Sequence, residues 1–358
     1  MSVLRIIPRR SNDVGYFTND RSLELEGLTN GPGWWIRGSG DTRDPGDVAR
    51  VLETTRRAEV RGYDLVFAAP RAISILVAID PLHAPDVIDA HRRSVASSIE
   101  YLEERAVVVR DRRAGNDIDG PGRWSSIVSF THGVNRHGEP HLHDHVLVGA
   151  RTFEARSVLD SRSLFVHARA ADALYRSSLR HDVAESTPWA TWRSFGGVEH
   201  VVGLDEGYRV LWGGHFADRG EKKLWRREEI VDRWRDDMGH FVAHGQVRAP
   251  SQERARLDEH AFGASLEGSR EITRRHLVFA WANAANYGVR SEEVMRSIDE
   301  LFPSLRASRG VREQSIGVRE ARMTGLVRER GARPLASREI DDWRQRSRER
   351  SIDEGRSR

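Results

Sequence analysis

The chain of 358 residues contains no cysteine. That excludes disulfide stapling, thiolate-held metal clusters and a cysteine nucleophile. Lysine is almost as scarce: Lys222 and Lys223 are the only two, so 55 of the 57 basic residues are arginine. Neither lysine stands in a G-x-x-x-x-G-K-[ST] run, which excludes a P-loop ATPase or helicase. Long apolar runs are missing as well. The longest, residues 277–282, stops at Asn283, far short of the ~18 residues of a membrane span. Residues 1–10 carry too short an apolar run for a signal peptide, and the lack of cysteine permits a cytoplasmic location without demanding it.

Charge of one sign is also nearly absent from the total, which is only +3. It is unevenly spread. Residues 301–358 hold 15 arginines against 9 acidic residues, which leaves the preceding 300 residues at −3. A basic tail on a near-neutral body suits a phosphate-backbone partner, although a solvated chain end has the same composition. With 38% hydrophobic residues the chain can bury a full core, and its length suggests about two domains at ~150 residues each.

Apolar periodicity predicts a short strand over residues 3–7 and another over 64–69, ended by Pro70. Asn30-Gly31-Pro32-Gly33 reads as a loop leading into Trp34-Trp35-Ile36, which is either buried or DNA-facing. The best helix lies at 85–106, with Ile88, Val95, Ile99, Leu102 and Ala106 on one stripe. A strand follows at 106–110. A second helix covers 163–185, and helical patterns recur at 226–238, 270–285 and 292–302. Residues 249–251 read as a linker, and Pro303 as a breaker before an Arg-rich segment that loosens from Gly310 onward. The fold class is α+β: a mainly antiparallel sheet in the first two hundred residues, helices after it. The division expected is a catalytic domain at 1–245 and a helical, Arg-rich region at 246–358.

Five of the 15 histidines fall within one short stretch: His132, His137, His141, His143 and His145. The runs 125–132 and 141–153 are β-rich, and Asn135-Arg136-His137-Gly138-Glu139-Pro140 between them is turn chemistry. An antiparallel hairpin brings His132 beside the i, i+2, i+4 face of His141, His143 and His145. Three converging imidazoles make a metal site with open positions, and an all-nitrogen donor set suits zinc, manganese, cobalt or nickel better than magnesium. Spacing alone leaves two ligand sets, His132/His141/His143 and His132/His143/His145.

The stretch from Phe130 to Val146 resembles the three-histidine motif of TrwC/TraI-type (MobF) conjugative relaxases, a class of HUH single-strand endonucleases. That pattern runs F-x-H, a turn with arginine, then D-P-Q-L-H-T-H-V. Its ligands fall on His132, His143 and His145, and His141 stands at the glutamine position. Gly62-Tyr63-Asp64-Leu65-Val66-Phe67-Ala68-Ala69-Pro70-Arg71 is similar to the family's G-x-D-L-T-F-S-A-P-K, with arginine for lysine. Gly33-Trp34-Trp35-Ile36-Arg37-Gly38-Ser39-Gly40 resembles its W-x-G-x-G segment, and residues 166–179 its following helix. The likeness covers residues 1–245, and 246–300 only loosely.

The resemblance implies a two-layer relaxase fold with a central antiparallel sheet covered by helices. It implies cleavage of single-stranded DNA at the nic site of an origin of transfer, through a 5′-phosphotyrosyl intermediate. Gly15-Tyr16-Phe17 matches the family's first tyrosine pair, which makes Tyr16 the nucleophile. A phenol with a free pKa of ~10 needs a metal, a cation or a base to help it. Asp64 then acts as proton acceptor for the nucleophile or as the carboxylate that orients a ligand histidine. The family's second tyrosine cluster has no counterpart, since residues 18–30 contain no tyrosine. The implied cofactor is a divalent ion: manganese, magnesium or zinc. DNA contacts fall to Arg71, Arg136, Trp34, Trp35 and His141. The implied partners are origin single strands, relaxosome accessory proteins and a coupling protein with its secretion system. A rolling-circle replication initiator shares this chemistry, and a non-catalytic origin-binding protein is the third reading.

Overall fold

The computed structural model describes residues 4–18, 33–52, 60–80, 82–111, 118–135, 137–152, 159–187, 191–195, 198–202, 227–238, 257–266, 271–311 and 313–317. Arg136, the stretch 19–32, the expected linker at 249–251 and everything past 317 lie outside them.

Eleven strands occur among the described residues: β1 (Leu4–Arg9), β2 (Trp34–Arg37), β3 (Gly62–Ala68), β4 (Val108–Asp111), β5 (Ile118–Pro121), β6 (Ile127–Val134), β7 (Pro140–Gly149), β8 (Thr191–Phe195), β9 (Val198–Val202), β10 (Glu271–Thr273) and β11 (Ser315–Gly317). The helices are α1 (Gly15–Thr18), α2 (Pro45–Ala49), α3 (Arg71–Ile79), α4 (Ala84–Arg105), α5 (Ser161–Ser186), α6 (Arg227–Met238), α7 (Glu259–Ser265), α8 (Arg274–Ala284) and α9 (Ser291–Leu301). Five strands build the central sheet in the order β1-β3-β7-β6-β2, every neighbour antiparallel. The α+β expectation with an antiparallel sheet holds.

Register sorts the side chains onto two faces, because successive residues of a strand point opposite ways. Leu65, Phe67, Ser129, Thr131, Asp144 and Val146 share one face; Asp64, Val66, Phe130, His132, His143, His145 and Leu147 share the other. The first face is covered by α4 and α5, where Val95, Ile99 and Leu102 meet Ala171, Leu174 and Tyr175 in the main core. The Ser98 hydroxyl donates to the Ala171 carbonyl at 3.0 Å and ties the two helices together. The opposite face carries a smaller core of Val14, Phe17, Val48, Val51, Leu52, Val128, Phe130 and Leu147. With both faces covered, β6 is buried at every position, which is why its sequence shows no polar–apolar alternation.

The later helices pack on α5. Arg180, 1% exposed, donates to the Ala282 and Ala285 carbonyls at 3.0 and 3.3 Å, and the Ser178 and Ser291 hydroxyls meet at 2.9 Å. The helix expected at 270–285 divides: Glu271–Thr273 forms β10, and α8 begins after a capping box between Thr273 and His276. The segment expected to loosen at Gly310 stays in the fold as far as 317. His167 Nε2 donates to the Gly310 carbonyl at 2.9 Å, Arg105 donates to the Arg306 carbonyl at 2.7 Å, and β11 pairs with β10. Polar capping of carbonyls holds this segment, and apolar periodicity does not register such contacts.

Candidate active site

The β6–β7 hairpin is set by its turn. The Asn135 side-chain oxygen accepts from the His137 and Glu139 amides at 2.9 and 3.0 Å, and Gly138 adopts φ +75°. From the other side, α6 closes on the turn through the Trp234 indole, which donates to the Gly138 carbonyl at 2.7 Å. His132 and His143 stand directly opposite each other, as do Phe130 and His145. Towards the turn the register slips by one residue, so that His141 and Leu142 together oppose Gly133. This bulge separates His141 from the regular face. Its ring lies against His143 at 4.6 Å, while one ring nitrogen from each of His132, His143 and His145 lies within 4.8 Å of the others. Of the two sets open from spacing, the geometry brings together His132, His143 and His145.

The surroundings fit this trio to a cation. Nδ1–H of His143 donates to the His141 carbonyl at 2.7 Å, and Nδ1–H of His145 donates to Asp64 at 2.9 and 3.0 Å. Each bond fixes the tautomer and leaves the Nε2 lone pair for a metal. Burial foremost, then repulsion from His145, lowers His132 to about 3 despite Asp144 and Asp64. Burial likewise holds His143 well below its ordinary value. Both imidazoles are therefore neutral donors at physiological pH. The 4.8 Å spread is wider than the ~3.4 Å separation around a tetrahedral ion with bonds of about 2.0–2.1 Å, a difference that small side-chain rotations close.

Tyr16 is held over the trio by its neighbour. Phe17 is 1% exposed and stacks on Phe130 with ring centres 5.3 Å apart. The backbone of α1 then turns Tyr16 outward, 46% exposed, with its ring 5.9 Å from both His132 and His145. Asp64, 3% exposed, is engaged by His145, the geometry of an orienting carboxylate. Tyr63 lies on the helix-covered face, away from the histidines, its phenol pushed up by burial.

The remaining sequence candidates divide. Arg71 opens α3 and pairs with Glu139 at 3.1 Å, and its charge, after burial, helps lower His141 to about 4. Trp35 lies on the histidine side of β2, its indole donating to the Gly40 carbonyl at 2.9 Å. Gly38 and Gly40 adopt φ +119° and +131°, and a Cβ at Gly38 would come within 2.8 Å of the Trp35 ring. Trp34 is not brought to this face: alternation turns its indole to the helix side, where it donates to Asp144 at 3.3 Å. Arg136 lies outside the described residues.

Two features escaped sequence reasoning. Register puts the exposed Arg5 of β1 on the histidine face, opposite Val66. Asp144, between two of the three histidines, points through the sheet to His91, which contacts it at 2.9 Å. Burial would raise Asp144, but the charge of His91 and hydrogen bonds from His91, Ser129 and Thr131 hold it at about 2. An acidic residue whose alternation aims it at an apolar layer was the available signal.

Known proteins share the fold that carries these residues. Solved structures of the conjugative relaxase TrwC with its oriT DNA, metal-bound and metal-free, share the fold. Each has a TM-score of 0.51 at 18% identity and covers 66% of this chain and 98% of the other. The fold is thus that of a relaxase. The TrwC relaxase family model matches residues 20–212, more than half of the sequence, and the chain belongs to that family. The match takes in Asp64 and the three histidines and begins just after Tyr16. Among curated relatives, the multifunctional conjugation protein TraI of Escherichia coli K12 is 29% identical over 107 residues. That stretch is 29% of this chain and 6% of TraI, so the likeness spans a small part of the relative. No helix among the described residues is long and apolar enough to cross a membrane.

Proposed function

We propose that the protein is a conjugative relaxase that cuts single-stranded DNA at an origin of transfer, with Tyr16 as nucleophile. The observation that carries this reading is the tyrosine ring 5.9 Å from two of three converging histidines, in a family of relaxases. His132, His143 and His145 hold a divalent ion, which when bound draws charge from the non-bridging oxygens of the scissile phosphate and from the leaving 3′ oxygen. The all-nitrogen donor set favours manganese or zinc over magnesium.

The chain's own residues do the rest. Tyr16 Oη forms a bond to phosphorus as the P–O3′ bond breaks, leaving a 5′-phosphotyrosyl strand and a 3′-hydroxyl. The phenolic proton passes through water to the departing oxygen. Asp64 holds the His145 ring, and Arg71, Arg5 and His141 guide phosphates while Trp35 offers a stacking surface. Residues 1–245 carry this chemistry, and 246–358 form a flank that adds backbone contacts through its arginines. Accessory relaxosome proteins and a coupling protein in the bacterial cytoplasm are the expected partners.

Residues 17–62 contain no tyrosine, so no second tyrosine stands close behind Tyr16 in the sequence to take up another 5′ end. The test is incubation with labelled single-stranded origin DNA, read as an SDS-resistant adduct. The adduct forms with Mn²⁺ and disappears with EDTA or in His143→Ala. An adduct indifferent to both would remove the metal from the mechanism.

A further inference from the structure

The side chain of Asp144 leaves the histidine face altogether. It projects to the helix-covered side, 0% exposed, from the one residue that separates His143 from His145. There it meets a full shell of donors from three elements. His91 Nε2–H on α4 donates to Oδ1 at 2.9 Å; Ser129 Oγ on β6 and Trp34 Nε1 on β2 donate to Oδ2 at 2.6 and 3.3 Å. The His91 ring is fully buried and is itself fixed, its Nδ1 2.8 Å from the Tyr175 hydroxyl of α5.

A buried carboxylate is a costly way to fill an apolar layer, and an apolar side chain of similar size stabilises a fold as well or better. The shell of donors therefore calls for a role beyond packing. We propose that Asp144 is a positioning residue for the metal site, pinning the backbone between His143 and His145 from beneath and placing a fixed negative charge under the cation.

The chain Tyr175–His91–Asp144 thus links both core helices to the middle of the H-x-H pair. Asp64 acts on His145 from the histidine face, so the site is buttressed from both sides of one sheet. Such outer partners set ligand orientation and basicity, and their loss typically weakens metal binding by about 10–100-fold.

This inference rests on the histidine-metal reading, and the experiment separates the two. Co²⁺ is titrated into the full chain at 25 °C, reading affinity and the visible d–d spectrum, with melting temperature recorded alongside. Asp144→Asn keeps the shape and removes the charge. It is expected to weaken Co²⁺ by about 10–100-fold and to alter the spectrum in molecules that are still fully folded. Ser129→Ala removes one donor with little change in volume, and several-fold weakening is expected. A purely structural carboxylate would lower the melting temperature and leave affinity and spectrum alone, and that result overturns the proposal. If Asp144→Asn does not fold, unchanged affinity in Ser129→Ala overturns it equally. Co²⁺ binding that is absent from the wild type, or undiminished in His143→Ala, overturns the histidine-metal reading and this inference with it. Binding lost in His143→Ala but unchanged in Asp144→Asn overturns the inference alone.

Discussion

Replacing Phe17 by alanine separates the nucleophile from its support. A four-residue helix such as α1 has no stability of its own, so Tyr16 stays over the histidines only while Phe17 remains seated. Phe17 is 1% exposed, stacks on Phe130, and packs with Val14, Val48 and Leu52. Truncating a buried phenylalanine costs ~3–5 kcal/mol. The main core is on the other side of the sheet, so most of that loss falls on the docking of α1 and little on global unfolding. Where docking is weaker than the loss, adduct formation drops on the order of 10²- to 10³-fold, at ~1.4 kcal/mol per factor of ten. Phe17→Leu fills most of the space, costs less than ~1.5 kcal/mol, and should stay within about tenfold of wild type. Single-turnover adduct formation measures both, with Co²⁺ affinity as the control, since the three histidines lie on β6 and β7. Wild-type kinetics in Phe17→Ala would refute the idea that packing of α1 positions Tyr16.

Acid should destabilise the metal-free protein. Burial foremost lowers His132 to about 3 and His167 to about 4, so between pH 6.5 and 4 the unfolded chain binds protons that the folded chain refuses. Stability then falls with falling pH by ~1.4 kcal/mol per unit for each group. These two histidines together remove ~3 kcal/mol between pH 6.5 and 5, since the unfolded imidazoles are only half protonated at the upper end, and a melting temperature flat across that interval would contradict it. Truncation should also be position-dependent. Deletion from residue 310 takes away the carbonyl that accepts from His167, the Arg275–Glu313 pair and β11. It should therefore cost ~1–3 kcal/mol more than deletion from residue 318, the penalty of one buried unsatisfied group, as read by chemical denaturation.

The histidine hairpin was legible because its signal is local: a turn of fixed chemistry between two β-rich runs, with i, i+2 spacing. Asp64 and Tyr16 became readable through the motifs around them, and the strand ending at Pro70 through proline itself. What stayed hidden depends on pairing register. Trp34 and Trp35 are equivalent in sequence, and only their placement opposite Ser129 and Val128 turns one to the helices and the other to the site. The bulge that sets His141 aside comes from a slip opposite Gly133, which spacing does not reveal. Asp144 stands within a polar motif in the sequence, and only the sheet gives its side chain a buried side. The loosening expected from Gly310 was a misreading, because a backbone carbonyl taken up by His167 and the short pairing of Ser315–Gly317 leave no periodic trace.

Peptide mapping of the covalent adduct tests the central claim most directly. The full chain is trapped on a single-stranded origin oligonucleotide with Mn²⁺, the DNA is digested to a nucleotide remnant, and the modified peptide is sequenced by mass spectrometry. The remnant is expected on Tyr16 as a phosphotyrosyl ester. Tyr16→Phe should form no adduct while binding Co²⁺ with wild-type affinity. A remnant on any other residue, or an adduct that survives in Tyr16→Phe, would contradict the assignment of Tyr16 as the nucleophile.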